Sequence, residues 1–196
     1  MSAYQSIKRG AALLIFSLLG FIPLQSSAGE SQVDQKMRAA DGTCWQDFVS
    51  SGGNYKVSFP SYPQHVSETL KLQGGKVSIK YDAYIAEQGV EALYMVLIAQ
   101  YPKTHVRPDP EAGLKAFLNG ILSHGEGSQL VEVEWQEFQG FSAVDFLVDN
   151  AGILLRGRAV MVDNSLYLIA MESHQSRFRA ENFKYFVETF SLVKGK

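Results

Sequence analysis

The residues in this chain that could do chemistry are few and widely spaced. One thiol, Cys44, stands beside Trp45, and the four histidines are His65, His105, His124 and His174. A Cys–His nucleophile pair would need the fold to carry Cys44 to one of those rings, because a thiolate forms at neutral pH only beside a base or a cation. The plainer reading is a lone thiol near the leader, either buried or, outside a reducing cytosol, linking two chains. No two histidines are four apart, so no helix face presents a ready pair of metal ligands. Glu172 and His174 are two apart in an extended stretch and share a face, which suits a weak surface cation site or, more simply, a solvated strand end. There is no HExxH, GxGxxG, Walker loop or GxSxG. Gly125-Glu126-Gly127 lacks the Lys and the helix start of a phosphate loop and reads as a helix exit.

Two other groups are candidates for binding rather than catalysis. The segment Tyr101-Pro102-Lys103-Thr104-His105-Val106-Arg107-Pro108 leaves an apolar strand and carries an aromatic, three potential cations and two of the prolines. Loops that leave a sheet are common binding positions, and proline limits the entropy lost on docking. Tyr101, Lys103, His105 and Arg107 are therefore candidate partner-binding residues, against the plainer reading of a crossover to the next helix. Arg156 and Arg158 share a strand face with Leu154 and Val160, while Glu132, Glu134 and Asp145 lie on the preceding strands. This is either an anion-recognition face built on Arg156 and Arg158, or cross-strand ion pairing on a solvated face.

The elements that must position these groups follow from periodicity. Trp45–Val49 reads as a short strand. Tyr55–Phe59 alternates with period two and is closed by Pro60 and Pro63. Val66–Leu72 and Lys76–Ala86 flank Gly74-Gly75, a hairpin signal. Leu93–Tyr101 is apolar on both faces, as expected of a central strand covered on both sides. Asp109-Pro110-Glu111 opens a helix: a cap, a proline at the first position and an acid against the dipole. Leu114, Phe117, Leu118, Ile121 and Leu122 form its apolar face, and Gly125 stops it. Four strands follow at Leu130–Phe138, Phe141–Asp149, Gly152–Val162 and Ser165–His174. A closing helix over Ala180–Thr189 carries the stripe Phe183, Phe186, Val187 and Phe190. Strands joined by short turns pair antiparallel, and the two helices need a sheet face to bury.

Composition sets the broader limits. The chain has 196 residues, 46% hydrophobic and 12% aromatic, with 18 basic against 20 acidic side chains and a net charge of -2. That excludes a disordered chain, a disulfide-stapled miniprotein and a strongly basic nucleic-acid binder. The N-terminus adds an expected address. Lys8 and Arg9 precede an apolar run from Ala11 to Leu24, and Ser26 and Ala28 are the small residues of a cleavage site. This is the three-part plan of a secretory signal peptide, expected over residues 1–28. The run is short of the roughly 20 residues that cross a bilayer. Gly29, not Cys, follows the expected cut, which disfavours a lipid anchor. A flexible leader over 29–44 and one domain over 45–196 complete the expected organisation, with no stable membrane span after cleavage.

The stretch Gly53-Asn54-Tyr55-Lys56-Val57-Ser58-Phe59-Pro60-Ser61-Tyr62-Pro63 resembles the opening of PsbP-like and DcrB-like exported proteins. The resemblance continues through the helix after Asp109-Pro110, the strand holding Gly157-Arg158, the turn into Leu166-Tyr167-Leu168 and the ending Thr189-Phe190-Ser191. It spans about residues 45 to 193 by the order of elements. It implies an α+β fold, an antiparallel sheet sandwiched by amphipathic helices. It also implies an exported, non-catalytic binding or accessory protein of the cell envelope, periplasmic or extracellular. It supplies no catalytic residue, metal site or cofactor. The expected partner is an envelope protein or a small ligand, not nucleic acid. Two alternatives stand beside it: a small envelope hydrolase with dispersed catalytic residues, and a metal-dependent accessory protein using His and acids.

Overall fold

A computed structural model describes residues 44–52, 54–72, 77–102, 109–124 and 127–193. The expected signal peptide, nearly all of the leader, the Gly74-Gly75 turn and the Gly125 stop lie outside these residues. The strands are β1 (Gln46–Val49), β2 (Tyr55–Phe59), β3 (Gln64–Leu72), β4 (Val77–Gln88), β5 (Ala92–Gln100), β6 (Gln129–Phe138), β7 (Phe141–Asn150), β8 (Ile153–Val162), β9 (Ser165–His174) and β10 (Ser191–Leu192). Helix α1 covers Pro110–His124 and α2 covers Ala180–Thr189, preceded by a 3-10 turn at Gln175–Arg177. All the strand pairings are antiparallel.

Seven strands make the main sheet in the order β3-β4-β5-β9-β8-β7-β6, and β1-β2-β10 make a small second one. The run β6 to β9 is a meander, so each charged residue on it meets its partner by simple register. Two of its turns place both central residues at positive φ: Gln139 at 53° with Gly140 at 88°, and Ala151 at 51° with Gly152 at 86°. Such turns match the right-handed twist of the strands they join. Asp149 supports the second, its Oδ1 accepting from the Gly152 N–H at 2.8 Å.

Alternation on β4, β5, β7, β8 and β9 feeds two cores. Ala83, Met95, Leu97, Phe146, Leu155 and Leu168 join Leu114, Phe117, Leu118 and Ile121 of α1 in an aliphatic core. Tyr84, Tyr94, Val96, Ile169 and Met171 join the small sheet and α2 in an aromatic one. There Trp45 meets Tyr94 edge-on at 5.1 Å between centroids, and Phe186 meets Tyr94 at 5.2 Å. The expectation of a central strand covered on both sides holds for β5, whose middle residues are buried on either face. Asp109 caps α1 as its position suggests: the Glu111 N–H donates to its Oδ1 at 3.0 Å.

Three features differ from the sequence reading. The chain is sheet-dominated, and α2 shares the aromatic face with the three-stranded sheet instead of covering it alone. β10 and the 3-10 turn are too short to show any period. And β6, which alternates like its neighbours, is the exposed edge of the main sheet.

Candidate functional site

An open groove of about 790 Å³ runs between α2 and the β6–β8 end of the main sheet. Its position follows from the sheet row. Asp145 and Arg158 are register partners, as are Glu134 and Asp145, while Leu147 pairs with both Glu132 and Arg156. Residues directly opposite share a face, so two rows of charge cross three strands beneath α2. The helix answers with Phe183 and Val187 toward the groove floor and Glu181, Lys184 and Glu188 along its wall.

The structure brings both arginine candidates into this groove, and each is already engaged. Arg158 forks onto Asp145, Nε to Oδ1 at 2.6 Å and Nη2 to Oδ2 at 2.7 Å. Both side chains are largely buried, at 16% and 12% exposure. The guanidinium also lies 4.9 Å from the centre of the Phe138 ring. Arg156 pairs with Glu132 across β7 and lies 5.9 Å from the Phe183 ring centre. Lys184 sits 3.8 Å from Glu188 one helical turn on. The groove thus sets four carboxylates against three cations on an apolar floor. Chemically it can hold an elongated, partly apolar group, with Arg156 the guanidinium whose partner is the more exposed and the more easily exchanged.

Of the loop candidates, Tyr101 is an anchor. Its N–H donates to the Asn164 carbonyl at 2.8 Å, and Asn164 Nδ2 donates to the Tyr101 carbonyl at 2.6 Å. Its ring packs against the aliphatic core, and burial pushes its phenol up to about 12. Lys103, His105 and Arg107 lie outside the described residues.

The remaining titratable groups are dispersed. His65 stacks on Tyr84 at 4.4 Å and has its Nε2 3.3 Å from Asp82 Oδ1. His174 caps the 3-10 turn, its Nδ1 accepting from the Ser176 N–H at 3.3 Å. Among the described residues no three His, Cys, Asp or Glu side chains gather closely enough to hold a metal ion. Glu172 stands between its cross-strand partners Leu93 and Leu155, and burial raises its carboxyl above the ordinary 4.5. Tyr55 is fully buried, its hydroxyl has no hydrogen-bond partner among the described residues, and desolvation holds the phenol well above its usual range. Such a group stays neutral at physiological pH and is neither base nor nucleophile. A smaller recess of about 270 Å³ lies beside Arg177, whose Nη1 donates to the Val90 carbonyl at 2.7 Å.

Arg156, Arg158, Glu132, Asp145 and the apolar stripe of α2 were legible in the sequence; that the helix roofs those strand charges was not. Lys184 and Glu188 were legible only as the polar side of α2. The signal available was their four-residue spacing beside the Phe183–Val187 stripe, which places a salt-bridged rim next to an apolar face.

No family model and no curated protein matches the sequence. A solved structure does match the fold: the solution structure of cyanobacterial PsbP (CyanoP) from Synechocystis sp. PCC 6803. The alignment covers 86% of this chain and 98% of that one, with a TM-score of 0.54 and 12% identity. At that identity the likeness is one of fold. Among the described residues no helix is long and apolar enough to cross a membrane.

Proposed function

We propose that this protein is an exported, non-catalytic binding or accessory module of the cell envelope. Its binding surface is the groove roofed by α2. The observation that carries this reading is the groove itself: a wide, open, apolar-floored channel whose three cations are each paired with a carboxylate. Such a site fixes a ligand by shape and exchangeable polar contacts. The paired guanidiniums and carboxylates orient each other instead of activating a nucleophile. Export is supported by the charged start, the apolar run and the small residues ending at Ala28. At a finer grain, the PsbP-like arrangement is an antiparallel sheet held between two amphipathic helices, with the groove at the open side of the second helix.

The test couples location to binding. Cell fractionation with N-terminal sequencing is expected to recover the chain outside the cytosol, starting after Ala28. Material retained in the cytosol with Met1 intact would refute export. Envelope extract passed over the tagged protein is expected to leave a bound component that an Arg156→Ala variant loses and a Tyr62→Ala surface control keeps. Equal retention by all three proteins removes the groove from the reading.

A further inference from the structure

β6 pairs with β7 on one side, and among the described residues nothing pairs with its other side. The strand is ten residues long and exposed along almost its whole length. Half of its N–H and C=O groups therefore point away from the sheet. Over residues 132–135 its two faces differ in chemistry, although Glu137, opposite Ser142, shares the face of Val133 and Trp135, and Lys115 Nζ lies 5.3 Å from the Trp135 ring centre. Register puts Val133 opposite Phe146 and Trp135 opposite Val144, on the face that α1 covers farther in. These two side chains are 45% and 40% exposed, and Val131, at the bulge, is 54% exposed. Glu132 and Glu134 occupy the other face, Glu132 at the rim of the groove. Glu134 has no ionic partner among the described residues. The opposite edge, β3, has no comparable stripe: His65, Ser67, Glu68, Thr69 and Lys71 make its exposed side chains polar.

From this juxtaposition we propose that the open edge of β6 docks an extended polypeptide segment that alternates apolar and basic residues. The segment adds an eighth strand to the main sheet. Main-chain hydrogen bonds supply the pairing, and side chains of alternate parity supply the choice of partner. The guest's apolar residues lie on Val133 and Trp135, and its basic residues lie on Glu134 and the groove rim. In the registers that bring Val133 or Glu134 onto itself, charge opposes a second copy of this chain as the occupant. Antiparallel self-pairing centred on Val133 sets Glu132 opposite Glu134, and centring on Glu134 sets that residue opposite itself. Like charges directly opposite oppose pairing.

The proposal rests on the reading of this protein as a binding module, and its test reports separately on the edge and on the groove. A capped ten-residue peptide alternating Lys and Val is titrated into the isotope-labelled full chain and followed through backbone amide shifts. Saturable shifts along residues 129–138 are expected. A Glu134→Lys variant is expected to bind about tenfold more weakly, and N-methylation of the peptide's pairing amides is expected to abolish binding. Docking at this edge is overturned if N-methylation has no effect, if a Glu/Val peptide binds equally well, or if no shift occurs. Shifts confined to Leu147 and Phe183 would also overturn it while leaving the groove as a binding surface.

Discussion

The two arginine pairs beneath α2 look alike in sequence and differ in what they do for stability. Asp145 is buried, and Arg158 grips it in a two-pronged geometry. Removing one partner strands the other's charge in a poorly solvated place, which costs far more than the pair contributes. Arg158→Ala is therefore expected to destabilise the fold by about 3 kcal/mol. Glu132, with more than half its side chain in solvent, belongs to an exposed pair. Glu132→Ala should cost less than about 1 kcal/mol. Urea denaturation of the two variants checks both values, and similar midpoints would refute the distinction. The rows of charge were legible because side chains in a strand alternate with period two. Which arginine is deeply held was not, because that depends on where α2 comes to rest, and nothing in the local pattern of β8 encodes it.

Between those arginines, β8 carries Gly157 directly opposite Phe146. A Cβ at this position would lie 2.8 Å from Phe146 Cε1. That ring cannot swing away: it is fully buried and meets Phe117 of α1 at 6.1 Å. The glycine thus lets α1 press an aromatic ring onto the back of the strand whose front displays Arg156 and Arg158. Gly157→Ala is expected to cost about 1–3 kcal/mol through overpacking. Phe146→Leu in the same chain should recover part of that loss, and a double-mutant cycle by thermal unfolding would expose the coupling. Additive effects would show that the contact does not constrain the strand. Long elements such as α2 and β9 were readable from the sequence because their apolar residues repeat over several turns or pleats. β10, two residues long, and the exposed position of β6 were not. A period reveals that a strand exists but not which neighbour it lacks.

At the scale of the whole molecule, Glu172 is a carboxylate in a poor place for charge, between Leu93 and Leu155 on the aliphatic face. Its carboxyl is raised in the folded state, so the folded chain holds a proton there more tightly than the unfolded chain does. The favourable contribution is complete below the ordinary carboxylate value and is lost as pH rises through the folded one. Glu172→Gln should consequently raise the melting temperature at pH 7 and lose that advantage in acid, below the ordinary 4.5. A gain independent of pH would mean that packing, not charge, is responsible. The division of one sheet between two unlike linings bears on assembly fidelity. If β5 slid by a single position against its neighbours, Tyr94 and Val96 would turn toward the compartment of Met95 and Leu97, and the reverse exchange would occur behind them. Bulky rings would jam one side while voids opened on the other. A misaligned chain is penalised twice at once, and the sheet proofreads its own alignment.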